Sequence, residues 1–466
     1  MSDVDRLAAA CLLPGFAGLE PPDELLRWVS RGLGGVVLFK RNIRDPEQVT
    51  ALTARLRAER PELVVATDEE GGDVTRLEAA TGSSYPGNLA LGVVDDVELT
   101  RSVAAAMGAE LAAVGIDLDF APVADVNTNP LNPVIGVRSF GADPKLVARH
   151  VAAFVEGMQG AGVAACAKHF PGHGDTSTDS HLELPVAGGD LEDHLRPFRA
   201  AVAAGVAAVM TAHIVVPGLD SDPATISGAA VRLLREGLGF ERVLVTDALE
   251  MRGVADLVGA EEAGVRALLA GADALCLGHD LPAEPVHTAV VAAVESGRLP
   301  VERLEEAVGR LSRLGNAPTS HADHDPELGA RAARRALRPE GDVRVEGTPL
   351  VVELVPTANI AAGTRARWLG EVVLQRWPLA EVIRIGPGDG APDPNGRPLV
   401  VVAQDAGRHA WQRQITEELA ARAPGVVVIE TGLPAWRPDR AAGVLATHGA
   451  GRANLEAAID LLAGPA

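Results

Sequence analysis

The sequence predicts an α/β chain built as a TIM-type (β/α)8 barrel followed by a smaller C-terminal α/β domain. Three observations lead there. Short apolar runs alternate with helical stretches through the first two-thirds of the 466 residues. Eight such runs end by Leu277, the number a closed barrel needs. Most of them are continuous and not alternating, as expected of parallel strands covered on both faces. An open doubly wound sheet is the competing arrangement.

The expected strands are 9–13, 35–39, 63–67, 116–121, 163–169, 207–212, 242–246 and 272–277. Helices are expected between most of them, at 23–31, 46–57, 98–114, 144–159, 191–203 and 261–270. Asp45 before Pro46 and Asp143 before Pro144 read as N-caps followed by a first-turn proline, where a missing N–H costs nothing. Helices at 284–296 and 301–314 would complete the barrel domain, assigned to residues 1–318. Residues 319–345 read as a linker with a helix near 327–337. The second domain is assigned to 346–466, with strands at 350–355, 382–385, 399–403, 426–429 and 443–446 and helices at 410–423 and 455–462.

Composition narrows the partners. Apolar residues make up 47% and charged residues 23%, ordinary for a soluble globular chain. The net charge of −21 argues against nucleic acid and against an anionic membrane surface. Aromatic residues are only 3%, which favours a small polar pocket over a long polysaccharide cleft. Cys11, Cys166 and Cys276 have no motif spacing and each sits in an apolar run, so each reads as a small buried hydrophobe in a reducing compartment. The opening residues, Met1 to Arg6, lack a basic leader region, and no apolar stretch approaches the roughly 18 residues that span a bilayer. A cytoplasmic location is expected. Monomer and dimer both stay open.

In a barrel the loops after the strands share one rim, so strand ends are where active groups belong. Strand three ends in Thr67-Asp68-Glu69-Glu70-Gly71-Gly72, with Arg76 shortly after. Strand four runs through Asp119 and Pro122 to Asp125, Asn127 and Asn129, with Arg138 in the loop beyond. Strand five ends in Lys168-His169, strand six in Thr211-Ala212-His213 and strand seven in Thr246-Asp247. Consecutive strands thus deliver ionisable groups to the same rim.

The loop after strand five, from Lys168 to His181, is the densest of these. Pro171, Gly172 and Gly174 block regular structure, while His169, His173, Asp175, Asp179 and His181 crowd it with polar groups. A metal site is one reading, but none of the spacings matches a recognised zinc pattern and Lys168 would repel a cation. A loop braced by histidine hydrogen bonds is another, and His173 between two glycines suits it. The third is proton transfer. Asp179 beside His181 can fix the imidazole tautomer and raise its basicity. Asp247 follows an apolar strand and reads by itself as a helix N-cap. In a pocket with Lys168, Arg138 and Arg76 it would stay ionised and suit attack on an electrophilic carbon.

These residues resemble the bacterial β-N-acetylhexosaminidases of glycoside hydrolase family 3. The resemblance rests on Lys168-His169-Phe170-Pro171-Gly172-His173-Gly174-Asp175-Thr176 through Asp179-Ser180-His181 and Leu184-Pro185. It extends in order to Ala66–Gly72, Ala121–Val126, Ile135–Phe140, Val209–His213 and Gly239–Leu249, covering roughly residues 5–315. The C-terminal block resembles, in a short copy, the second αβα domain of longer family members.

The resemblance implies a retaining exo-acting β-N-acetylglucosaminidase that removes a non-reducing-end β-linked N-acetylglucosamine from muropeptides or chitooligosaccharides, with no cofactor and no metal. Asp247 matches the nucleophile, His181 the general acid/base and Asp179 its partner. Asp68, Arg76, Arg138, Lys168 and His169 match residues that hold the sugar. The lack of a leader favours intracellular recycling of cell-wall peptidoglycan. A phosphorylase on the same substrates and a non-catalytic sugar-binding protein are the alternatives. One departure stands out: Asp73 occupies a position where an arginine is common in the family.

Overall fold

The structure is a computed structural model. It describes residues 2–278, 281–314, 325–356, 368–423 and 425–464. Part of the expected linker, residues 319–324, lies outside the described residues. The chain divides into two compact units. The first comprises Met1–Glu69, Val97–Ile135 and Ala142–His324, and the second comprises Glu70–Asp96, Gly136–Gly141 and Asp325–Ala466. Two segments that the sequence reading assigns to the barrel, 70–96 and 136–141, therefore group with the C-terminal residues.

The first unit carries eight strands: β1 (Leu12–Pro14), β2 (Gly35–Leu38), β3 (Val64–Thr67), β4 (Leu118–Asp119), β5 (Ala164–Phe170), β6 (Ala208–Thr211), β7 (Val243–Thr246) and β8 (Leu275–Leu277). Each overlaps an expected run, but the run 9–13 does so only at Leu12 and Leu13, because Ala9 and Ala10 close the helix Asp3–Ala10. β2 to β7 form a six-stranded sheet in chain order, every neighbour parallel. β1 and β8 pair in parallel as a separate two-stranded sheet, and an isolated bridge joins Val245 to Ala274. One apolar cluster takes side chains from all eight strands, including Leu13, Val37, Ala66, Leu118, Cys166, Met210, Val245 and Cys276. The unit is thus barrel-like: the continuous apolar runs supply residues for this shared interior and for the helix layer outside it.

Strand four is shorter than expected because its carboxyl half leaves the regular ladder. Phe120 still donates to the Thr67 carbonyl at 2.8 Å, but Pro122 has no N–H to give. The flanking helices begin as the caps predict. Asp45 accepts from the Gln48 N–H at 2.8 Å ahead of Pro46–Glu59, and Asp143 accepts from the Lys145 N–H at 2.9 Å ahead of Pro144–Gly160. Cys11, Cys166 and Cys276 are buried free thiols, and burial pushes the Cys11 thiol up to about 12.

The second unit is built on a six-stranded mixed sheet: β9 (Arg338–Gly341), β10 (Leu350–Leu354), β11 (Glu381–Ile385), β12 (Leu399–Ala403), β13 (Val427–Glu430) and β14 (Gly443–Ala446). Its order is β11-β10-β12-β13-β14-β9. Alternate residues of the central strands feed two cores. Val351, Val400, Val427 and Leu445 pack with helices Trp368–Arg376 and Arg452–Ala463, while Val352, Val401 and Val428 pack with Ile415 and Leu419 of Ala410–Arg422. The sheet is therefore covered on both faces. β9 was not foreseen. Its sequence, Arg-Pro-Glu-Gly, is exposed throughout, and it runs antiparallel along β14 as an edge, where a proline is tolerated. No described helix is long and apolar enough to cross a membrane.

Candidate active site

The polar residues of the first unit collect at the carboxyl ends of β3 to β7. β5 delivers Lys168 and His169 as its last polar residues, and its register to β6 shifts between Ala167 and Phe170. The Lys168 backbone is held on both sides. Its N–H donates to the Pro122 carbonyl at 3.1 Å, and its carbonyl accepts from the Ala124 N–H at 2.6 Å. The ammonium is 2% exposed and meets Asp68, at the end of β3, at 2.7 Å. A buried cation needs such a partner to remain charged. Two sugar-holding candidates are therefore joined in one ion pair.

His169 rests on Asp125. Its Nδ1 lies 2.7 Å from Asp125 Oδ2, and the N–H of His173 reaches Asp125 Oδ1 at 2.7 Å. A carboxylate can only accept, so Nδ1 carries a proton and donates it to Asp125. Burial raises the Asp125 carboxyl, but the His169 and His173 groups outweigh it and hold the net value below the usual range. Asp125 was recognised as a strand-end group but not assigned to the site. Its place one short turn beyond β4 was the available signal.

The loop after β5 divides as its residue types suggest. His173 is a brace: Nδ1 lies 2.7 Å from Thr176 Oγ1 and Nε2 lies 3.2 Å from Ser180 Oγ, and burial lowers its pKa to about 4. Asn129 donates to the carbonyls of Asp175 and Thr176. Asp175 closes the far end, because Oδ2 accepts from the Gly188 N–H at 2.6 Å and from the Gly189 N–H. Inside this frame Asp179 and His181 form a dyad. Asp179 Oδ1 lies 2.7 Å from His181 Nδ1 and also accepts the His181 N–H at 2.9 Å. Burial raises the Asp179 carboxyl, yet its hydrogen bonds to His181 bring the net value below normal. With Nδ1–H committed to Asp179, Nε2 is left to exchange a proton.

Asp247 follows β7 and does not cap a helix. The next helix, Arg252–Val258, starts four residues beyond Ala248, with Met251 at its N-cap position. The carboxylate instead accepts the Ala248 N–H at 2.8 Å. Burial would raise its pKa, but His213, His169 and His181 act on it electrostatically and the net shift is downward. Asp247 is thus an anion whose lone pairs are not all consumed by structure. His213 supports it. Its Nε2 donates to the Ala248 carbonyl at 2.9 Å, which fixes Nδ1 as the acceptor facing Thr225 Oγ1 at 2.7 Å. The chain also ties the dyad loop to this segment, since the Gly253 N–H donates to the Ser180 carbonyl at 3.0 Å.

Arg76 and Arg138 belong to the second unit. Arg138 is 7% exposed and makes a two-pronged pair with Glu70, Nε to Oε2 at 2.9 Å and Nη2 to Oε1 at 2.7 Å. Glu70 reads in the sequence only as the last of three consecutive acids, Asp68-Glu69-Glu70, so sequence gave no signal for the pairing. Among the described residues no three His, Cys, Asp or Glu side chains form a metal-holding group.

Comparison with known proteins agrees with this arrangement. The glycosyl hydrolase family 3 N-terminal domain model matches residues 18–314. The chain is 36% identical over 329 residues to beta-hexosaminidase A of Pseudoalteromonas piscicida, spanning 63% of this chain and 55% of that protein. It is 38% identical over 325 residues to a beta-hexosaminidase of Thiobacillus denitrificans, spanning 67% of this chain and 87% of that one. Among solved structures, a glycoside hydrolase family 3 beta-N-acetylglucosaminidase from Paenibacillus sp. str. FPU-7 superposes with a TM-score of 0.88 at 34% identity, covering 100% of this chain and 97% of its own. A beta-N-acetylhexosaminidase from Beutenbergia cavernae covers 68% of this chain at a TM-score of 0.62 and 29% identity. A carboxylate kept ionised at the end of β7, an Asp–His dyad on the loop after β5 and these matches converge: the chain belongs to glycosyl hydrolase family 3, with the bacterial β-hexosaminidases.

Proposed function

We propose that the chain is a retaining exo-β-N-acetylglucosaminidase acting on small oligosaccharides or muropeptide fragments in the cytoplasm. The observation that carries this reading is Asp247, held as an anion beside three histidines, one of them locked by Asp179. In the first half-reaction the Asp247 carboxylate attacks the anomeric carbon, while His181 as imidazolium gives its Nε2 proton to the departing oxygen. In the second, neutral His181 takes a proton from water as the water displaces Asp247 and restores the free sugar. Asp179 stabilises the imidazolium in each half. In the first unit, Lys168 paired with Asp68, together with His169, holds the sugar; Arg76 and Arg138 are the second unit's candidates for sugar binding. The two parallel sheets of the first unit form one closed eight-stranded barrel in this reading, supported by their shared core.

A disaccharide ending in N-acetylglucosamine, incubated with and without inorganic phosphate, tests the assignment. Free N-acetylglucosamine of retained β configuration is the expected first product. Sugar 1-phosphate would replace water with phosphate as the acceptor and make the enzyme a phosphorylase. Binding without turnover would favour a non-catalytic sugar-binding protein.

A further inference from the structure

Asp73, the departure from the family pattern, has a defined structural task. It sits in a tight turn that starts at Glu70: the Glu70 N–H donates to the Val74 carbonyl at 3.0 Å, and the Val74 N–H donates to the Gly71 carbonyl at 3.2 Å. The turn takes φ of 76° at Gly71 and 59° at Gly72, and a side chain at Gly72 would strike the backbone of Gly87 at 2.6 Å. The turn is thus sterically defined before any side chain acts.

Asp73 then ties the turn to the C-terminal sheet. Its Oδ1 accepts the Ala450 N–H at 2.6 Å, and its Oδ2 accepts from Gln404 Nε2 at 3.2 Å. Both donors follow central strands, β14 and β12, and both are themselves fixed. The Gln404 N–H and carbonyl are held by the buried Gln412 side chain, and the Ala450 carbonyl accepts from Trp368 Nε1 at 3.3 Å. Neighbouring contacts repeat the attachment, with the Ala453 N–H on the Ser83 carbonyl at 3.1 Å and Arg335 on Asp96 at 2.8 Å. An arginine at position 73 has no acceptor and cannot take these bonds.

We infer that Asp73 is a positioning residue through which the C-terminal α/β sheet sets the Glu70–Arg138 pair for substrate binding. Only Gly71 and Gly72 separate Asp73 from Glu70, and Glu70 holds the guanidinium of Arg138 by two bonds. A turn released from the sheet lets Glu70, and with it Arg138, leave its bound orientation. This inference rests on the proposed glycosidase reading for the role of Arg138.

The test uses the full chain with an aryl N-acetylglucosaminide as substrate, comparing wild type with Asp73→Ala and Asp73→Asn. Asp73→Ala loses both acceptors and should raise KM about tenfold, with kcat within about twofold, the size of effect expected from losing hydrogen bonds to a charged group. Asp73→Asn keeps one carbonyl-type oxygen for the Ala450 N–H and should stay within about threefold of the wild-type KM. Gln404→Ala removes one of the two bonds without touching the turn and should fall between them, which keeps the question decidable if Asp73→Ala folds poorly. An unchanged KM in both Asp73→Ala and Gln404→Ala overturns the inference, as does a kcat loss with KM unmoved. A wild-type enzyme inert on every N-acetylglucosaminide would instead remove the glycosidase reading.

Discussion

The two ends of the parallel strands in the first unit both carry aspartates shielded from solvent, and the chain uses them differently. At the amino ends, Asp117 precedes β4 and Asp273 precedes β8. Asp117 takes the Arg57 guanidinium on both oxygens, at 2.7 and 2.8 Å, and the Val65 N–H at 2.8 Å. Asp273 is fully buried and receives Arg235, Arg303, Arg310 and the Leu244 N–H. Asp117 is held by one guanidinium and a backbone N–H, and Asp273 by three guanidinium groups and a backbone N–H. At the carboxyl ends, Asp125, Asp179 and Asp247 face histidines, whose charge a proton can switch. The same side chain is a staple where its partners are fixed cations and a reagent where its partners titrate. The groups assigned to chemistry lie at the carboxyl ends, where they share the loops with bracing residues such as His173.

Substitutions can break this contrast in graded steps. Asp247→Ala should reduce turnover of an aryl N-acetylglucosaminide by at least about a thousandfold while the thermal midpoint stays near wild type. Retained activity would remove Asp247 as nucleophile. Asp273→Ala should do the reverse. Removing the acid shared by three partly buried arginines, of which Arg303 and Arg310 keep Glu306, should cost about 3 kcal/mol in denaturant unfolding, with activity per folded molecule preserved. His181→Ala should slow substrates with poor leaving groups by about 10²–10⁴-fold and activated aryl substrates far less. Equal losses on the two would argue against proton donation.

The smallest expected effect concerns pH. The His173 pKa falls from 6.5 to about 4 on burial in the folded chain. Between those values the unfolded chain holds a proton on this residue that the folded chain does not, so this residue's contribution to stability declines as pH falls from 6.5 towards about 4. His173→Gln, which cannot take up that proton, should flatten the decline measured by urea unfolding at pH 6.5 and pH 4.5. A wild-type slope in the variant would place the acid sensitivity elsewhere.

Much of the first unit was legible in the sequence because its signals are local. A continuous apolar run bounded by glycine, proline or a capping aspartate declares a buried parallel strand and the helix after it, and all eight runs contain a strand, although Ala9 and Ala10 of the first belong to a helix. The dyad was legible because Asp179 and His181 are two residues apart. What stayed hidden depends on distant partners. Asp73 and Ala450 are separated by 377 residues, and no local pattern announces their bond. The grouping of segment 70–96 with the C-terminal sheet was hidden for the same reason. His213 and Asp125 lie between these cases: their places at strand ends were plain, but their pairings with Ala248 and His169 required the fold.

The Asp175 clamp has a consequence for how such an enzyme can change over time. By gripping the N–H groups of Gly188 and Gly189, Asp175 brings the two ends of residues 176–187 to one carboxylate, and the bonds of Ser180 to Gly253 and of Pro185 and Ala187 to Val215 anchor the segment between them. Residues inserted or exchanged at its exposed tip, around Leu182 and Glu183, alter the surface beside His181 without altering how the segment enters or leaves the scaffold.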